Sequence, residues 1–395
     1  MENNLISSQV KEMEEQMLTW RRYFHKHPEL SFEEYGTSDY IEMRLREFGD
    51  GIEISRPTKT SVMAVIKGAK PGRTIALRAD IDALPIQEEN ELSFASVHPG
   101  VMHACGHDAH AAILLAAAKL TAGMRDSLAG EARMLFQHGE ELPPGGAAEM
   151  VKAGVMDGVD EVYGLHVSTN YDTCTFGLRS GALTSATDRF DITVKGKGGH
   201  SAFPETCVDP VVIGAQIITA LQTVISRQTP AIEPAVLSIC MVNAGQAYNI
   251  IPGTMQITGS TRTFSRETRN SLPEKMEQIV KGITDSYGAG YEFKFEKGYA
   301  SVINDEKLTQ NVENLLAEHF GDERVAHIEP LMPGEDFSAF SECCPGCFIE
   351  LGSLNREKGC DSPHHNCNYR LDEDTMVYGV EYFVRLIRDR LREVK

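Results

Sequence analysis

Residues 101 to 112 read VMHACGHDAHAA, with Cys105 and His107 two apart, His103, Asp108 and His110 beside them, and the apolar run AAILLAAAKL directly after. Thiolate, imidazole and carboxylate are the donors preferred by zinc and related borderline metals. In CGHD the glycine permits a sharp turn, so side chains two apart converge on one point, which helical geometry at that spacing forbids. A second group, FQHGEELPPGG, sets Glu140 beside Glu141. Adjacent carboxylates at a strand end point in different directions, so one can ligate a cation while the other reaches water bound to it. Like-charge repulsion also raises a carboxylate pKa, which suits proton shuttling. His166 in GLHVS and the pair His364 and His365 in SPHHNCNY add imidazoles that say little singly. Taken together, these side chains match what a two-metal hydrolase needs. Two other readings stay open on the residues alone. Cys105 and His107 would also suit a cysteine hydrolase. A metal-dependent peptide binder is the other, although binding alone has no need of a second glutamate.

Strands and helices must gather these residues. Val10, Met13, Met17 and Phe24 recur at helical spacing in a helix that ends before Pro28, and a second helix follows from about Thr37 to Phe48. SVMAVIKG and TIALRAD read as strands, and the run after His110 as an Ala- and Leu-rich helix. ARMLFQH and EVYGLHV are strands separated by a helix near AAEMVKAG, the βαβ pattern of a mostly parallel sheet. Asp80 and Asp82 follow one strand, Glu140 and Glu141 another, and His166 falls near the end of a third. Ligands in open α/β sheets collect at that edge.

From about residue 187 the order becomes strand, helix, strand, strand, helix, strand, which is ferredoxin-like. The expected fold is therefore α/β: a discontinuous domain of helices flanking a mostly parallel sheet, residues 1–186 and 301–395, carrying an inserted α+β domain at 187–300.

The chain has 395 residues, a formal charge of −19 and a pI near 5.1. Such a balance disfavours nucleic acid and anionic membrane surfaces as partners and leaves a small-molecule substrate. No basic, apolar leader opens the sequence and no long apolar run interrupts it, so a cytoplasmic protein is expected. Nine cysteines without a secretion signal argue for free thiols. Cys343, Cys344, Cys347, Cys360 and Cys367 lack a clean pair of CxxC knuckles, and scattered thiols are favoured over a zinc knot.

The sequence resembles the amidohydrolase branch of the aminoacylase and carboxypeptidase G-type metallopeptidases, relatives of hippurate and auxin-conjugate hydrolases and N-acetyl amino acid deacetylases. The resemblance rests on RRYFHKHPELSFEEYGTSDYI, LRADIDALPIQE, HACGHDAHAAILL, GEE, GLHV, GKGGHSAFP, NIIPGTMQITGSTRTF, PGEDFS and HHN, in order along nearly the whole chain. It implies a metal-dependent enzyme that cleaves N-acyl amino acids, or dipeptides in a carboxypeptidase-type variant. Two divalent ions, zinc, manganese, cobalt or nickel, would be held by Cys105, His107, Glu141, His166 and His365. Glu140 would be the general base, Asp82 would orient a ligand imidazole, and His200 would donate to the oxyanion. Asn249 and Arg262 would hold the substrate carboxylate. A homodimer, or a tetramer, through the inserted domain is also implied, with His200 serving the partner's metals. Helix DPVVIGAQIITALQTVISR carries more apolar surface than one small sheet covers. This chain departs from its relatives at His138 and Gly139, where Pro-Ala is common, and at Cys367, where Pro is common. In distant relatives an aspartate bridges the metals, so Asp108 is an alternative to Cys105.

Overall fold

Helix α1 (Ser8–Lys26) buries Val10, Met13, Met17, Trp20 and Phe24 on one stripe and stops at His27, because the residue before Pro28 is disfavoured in helical conformation. Helix α2 (Tyr35–Arg46) follows, then strands β1 (Ile52–Ser55), β2 (Val62–Lys67) and β3 (Lys70–Asp80). Helix α3 (His107–Met124) is buried on almost every side from His107 to Ala118, as expected of a helix apolar all round. Strand β4 (Ala129–Gln137), helix α4 (Gly146–Lys152), and strands β5 (Glu161–Asp172), β6 (Phe176–Leu178) and β7 (Gly181–Ala182) complete this stretch. The computed structural model describes residues 5–393.

The next stretch is a separate compact unit, Thr184–Ser301 with Pro330–Glu335. It contains β8 (Ala186–Lys195), β9 (Gly199–His200), α5 (Pro210–Gln228), β10 (Ala235–Ala244), β11 (Ile250–Ile251), β12 (Thr254–Thr263), α6 (Arg266–Ser286) and β13 (Gly290–Lys297). Its antiparallel sheet runs β10-β12-β8-β13, the ferredoxin-like order read from the sequence. Helix α5 is capped by the Asp209 carboxylate on the Val211 N–H. By length and composition α5 would cross a membrane, but Ile213, Ile217, Leu221 and Val224 pack it into this unit's own core.

The chain then returns to the first unit with β14 (Ile303–Asn304), α7 (Glu306–Phe320), β15 (Val325–His327), α8 (Ser338–Ser341), β16 (Gly346–Leu354) and α9 (Met376–Arg390). The large sheet runs β1-β2-β4-β3-β5-β16-β6-β15. Its centre, β4-β3-β5-β16, is parallel, and antiparallel β2 and β6 flank it. Ile75 and Leu77 of β3 join one core with α1, α3 and α9, whereas Ala76 joins the other with α4 and α8. Alternate strand residues thus feed helical layers on both faces.

Two details differ from the sequence reading. Strand β3 starts at Lys70, ahead of the Pro-Gly that reads as a turn, with a register shift between Lys70 and Arg73. His166 sits in the middle of β5, not near its end, because β5 continues to Asp172.

Candidate metal centre and active site

Gly106 caps α3 with φ +93°, a conformation open mainly to glycine. A Cβ there would come within 2.3 Å of Val167 Cγ2 and 2.9 Å of the Tyr369 hydroxyl. The turn places Cys105 just before the helix and His107 in its first turn. Cys105 Sγ lies 3.4 Å from His166 Nε2 and 3.9 Å from His364 Nδ1. Donor atoms of Cys105, His107 and Glu141 fall within 4.8 Å of one another, as do those of His107, His110 and His166, and those of Cys105, His166 and His364. His365, half-exposed, brings Nε2 to 3.3 Å from Glu141 Oε1. Its φ of +61° is uncommon for a residue with a Cβ, and strain of that kind gathers at functional sites.

Asp82 ties two of these groups together. Its Oδ1 accepts from His107 Nδ1 at 3.1 Å, and its Oδ2 accepts from the Glu141 N–H at 2.9 Å and the Ser31 hydroxyl at 2.7 Å. With Nδ1 engaged, His107 presents Nε2 to the cluster. Asp80, fully buried, accepts from His110 Nδ1 at 2.5 Å and from Arg78 Nη1 at 2.6 Å.

The electrostatics describe a site with surplus negative charge. Burial opposes a proton on His107, yet Asp80, Asp82 and Glu141 outweigh it and push the imidazole up to about 10. Burial, with Glu141, Glu140 and Asp80 nearby, drives the Cys105 thiol well above its ordinary range. Burial holds His364 down, to about 3. His107 Nε2 and Glu141 Oε1 are buried without hydrogen bonds and lie 3.8 Å apart. Orphaned donors facing one another amid excess carboxylate are what a divalent cation satisfies, displacing the proton on His107 and drawing the thiolate from Cys105. The residues therefore fit a metal. The Cys105–His107 pair of a cysteine hydrolase is not formed, since Cys105 Sγ meets His166 and His107 Nε2 makes no hydrogen bond.

Asp108 is not an alternative to Cys105. Its buried Oδ2 accepts from His25 Nδ1 at 2.7 Å and lies 2.9 Å from Arg21 Nε in an ion pair, so this oxygen is turned to α1. Glu140 is buried, with a carboxylate oxygen within 4.8 Å of one on Asp336. His200 and Asn249 lie together in the inserted unit, where β9 pairs with β11 through His200 and Ile250, and the Ser201 N–H reaches the Asn249 carbonyl at 3.1 Å. Arg262, on β12, donates Nη1 to Thr187 Oγ1. The nine cysteines are free.

Sequence reasoning passed over Arg78, and it set Asp80, His110 and His364 beside the candidate ligands without giving them a role. His110 stands three residues after His107 and so shares its helical face.

A cluster of metal donors at the carboxyl edge of a parallel sheet, with two carboxylates at the same edge, defines a metal-dependent hydrolase. The model for peptidase family M20/M25/M40 matches residues 76–389, and the chain belongs to that family. It is 52% identical over 299 residues, 76% of this chain and 80% of the relative, to an N-acyl-L-amino acid amidohydrolase of Geobacillus stearothermophilus. It is 39% identical over 376 residues, 95% of each chain, to thermostable carboxypeptidase 1 of Saccharolobus solfataricus. Among solved structures it superposes with a TM-score of 0.85 on a dinuclear metal-binding M20 peptidase of Bacillus subtilis, at 37% identity, covering 96% of this chain and 99% of that one.

Proposed function

We propose that the protein hydrolyses the amide bond of N-acyl amino acids with two divalent cations held by Cys105, His107, Glu141, His166 and His365. The observation that carries this reading is the meeting of orphaned His107 Nε2 and Glu141 Oε1 beside the Cys105 thiol. When bound, such cations polarise a carbonyl and lower the pKa of water. Asp82 fixes the ring of His107 and the backbone of Glu141 at once. Glu140, one residue away, takes the proton of the attacking water and returns it to the leaving nitrogen. His365 is assigned as ligand because its Nε2 lies 3.3 Å from Glu141 Oε1, and His364, stacked on His166, brings Nδ1 to 3.9 Å from the Cys105 thiol beside it.

Arg262 is half-buried and donates to the Thr187 hydroxyl, and burial lowers its pKa although the charge of Asp188 opposes this. A guanidinium so placed gains most from a carboxylate, which every N-acyl amino acid carries. The test is a panel of N-acetyl, N-benzoyl and longer N-acyl amino acids and dipeptides, each with zinc, manganese, cobalt or nickel. Hydrolysis of N-acyl amino acids, abolished by chelator and restored by metal, is the expected result. Preference for dipeptides would move the assignment to the carboxypeptidase type, and inactivity of the metal-loaded protein towards all of them would reject it.

We also propose a homodimer through the inserted unit. Strand β10 is an edge of its sheet with Val236, Met241 and Val242 exposed, and Val211 and Val212 are exposed at the start of α5. A long apolar edge invites a second copy. If His200 serves the partner's site as oxyanion donor, mixing His200→Ala chains with Glu140→Gln chains under subunit exchange will regenerate one competent site per mixed dimer. Proven exchange without recovered activity would remove the trans role.

A further inference from the structure

Behind the turn that carries Glu140, two residues with positive φ meet, Phe32 at +67° and Gly139 at +61°. A Cβ on Gly139 would lie 2.8 Å from Phe32 Cζ, and the Phe32 ring stands edge-on to His138 at 5.3 Å. A bulky residue in that region is a genuine outlier, held only where its surroundings over-determine it. Gly139 is held on both sides: its carbonyl accepts the Gly146 N–H at 3.1 Å, and its own N–H is held by Glu34, which is fully buried. Its Oε1 accepts the N–H of Phe32 and the N–H of Gly139, each at 2.8 Å, while Oε2 is buried without a hydrogen bond. Three residues earlier in the same loop, Ser31 donates to Asp82. The segment between α1 and α2 therefore reaches both the carboxylate that orients His107 and the turn that bears Glu140.

A carboxylate is a costly choice for this task. Burial, and then the charge of Asp82, push Glu34 up to about 7. An apolar side chain would avoid that cost but could not hold the Gly139 N–H.

We propose that Glu34 is a positioning residue for the reaction: by holding the Gly139 N–H it sets residues 138–141 and thereby the direction of the Glu140 carboxylate. The proposal rests on Glu140 being the base. Gly139 has no Cβ and wide backbone freedom, so the turn does not hold this conformation unaided.

The test compares Glu34→Ala, Glu34→Gln and Glu140→Gln as metal-loaded enzymes, measuring kcat, KM and bound metal. Glu34→Ala should lower kcat about 10- to 100-fold, the range expected when a catalytic group is misplaced by about 1 Å. KM and metal content should hold, a split that general loosening would not produce. Glu34→Gln keeps a carbonyl oxygen for the two N–H groups and should recover most of kcat. Should Glu34→Ala fail to fold, Gly139→Ala disturbs the same turn from the other side and should show the same kcat-only loss. Full kcat in Glu34→Ala, or in Gly139→Ala where that variant decides, beside an inactive Glu140→Gln, overturns the positioning role alone. So does parallel loss of kcat, KM and metal in both the alanine and glutamine variants. Turnover by Glu140→Gln removes the base assignment, and the positioning role with it.

Discussion

Glu140→Gln is expected to lower kcat about 10²- to 10⁴-fold while the protein keeps its full metal content, since the amide nearly matches the carboxylate in shape but does not accept the proton. Glu141→Gln should fail differently. Its oxygen lies among His107, His365 and Cys105 and its backbone N–H is anchored on Asp82, so losing the charge there weakens metal binding. Kinetics at saturating metal, with metal counted per chain, separates the two cases. If Glu140→Gln loses metal and Glu141→Gln keeps it but loses turnover, the roles are exchanged.

Arg78→Met is expected to be the most destabilising single change in the first unit. The guanidinium, fully buried, donates to Asp80 at 2.6 Å, Asp336 at 3.0 Å and Gln137 at 2.7 Å. Removing one member of a buried ionic cluster leaves uncompensated charge and costs about 3–5 kcal/mol. Methionine fills much of the volume, so the loss would be electrostatic rather than a cavity. Denaturant titration of the metal-free protein would read it as a lower midpoint. A stability change below about 1 kcal/mol would show that water or protonation relieves Asp80 and Asp336.

How much of this was legible in the sequence depended on whether the signal was periodic. The stripe of α1 and the alternating strands of the inserted unit follow from one element's own geometry, and both could be read directly. CGHD and GEE were legible because uncommon side chains stand close together. Arg78 carries no such signal: inside TIALRAD it reads as an ordinary charged strand residue, and its role depends on Asp336, 258 residues away. Glu34 stands in FEE, which reads as a solvated acidic run, and only the fold reveals that Glu34 is buried while Glu33 is exposed. Strand β1 has only four residues, too few to show a period.

The ribbon of β7 and β14 has a consequence for how such a chain tolerates its long excursion. Ala182 pairs with Ile303, and the Leu183 N–H reaches the Val302 carbonyl at 2.8 Å, so the chain leaves and re-enters the first unit at adjacent positions. Within the inserted unit the first and last strands, β8 and β13, are neighbours, and Thr187 meets Tyr299 through a 3.0 Å backbone bond. Both modules thus present termini that already lie side by side. To the first unit the excursion is equivalent to an overgrown hairpin tip, and once the inserted module has folded there is little closure entropy left to lose. A short turn joining Ala182 to Ile303 is therefore a natural excision point for the long excursion, and it would leave residues 330–335, the inserted unit's second segment, as a short loop of the first unit.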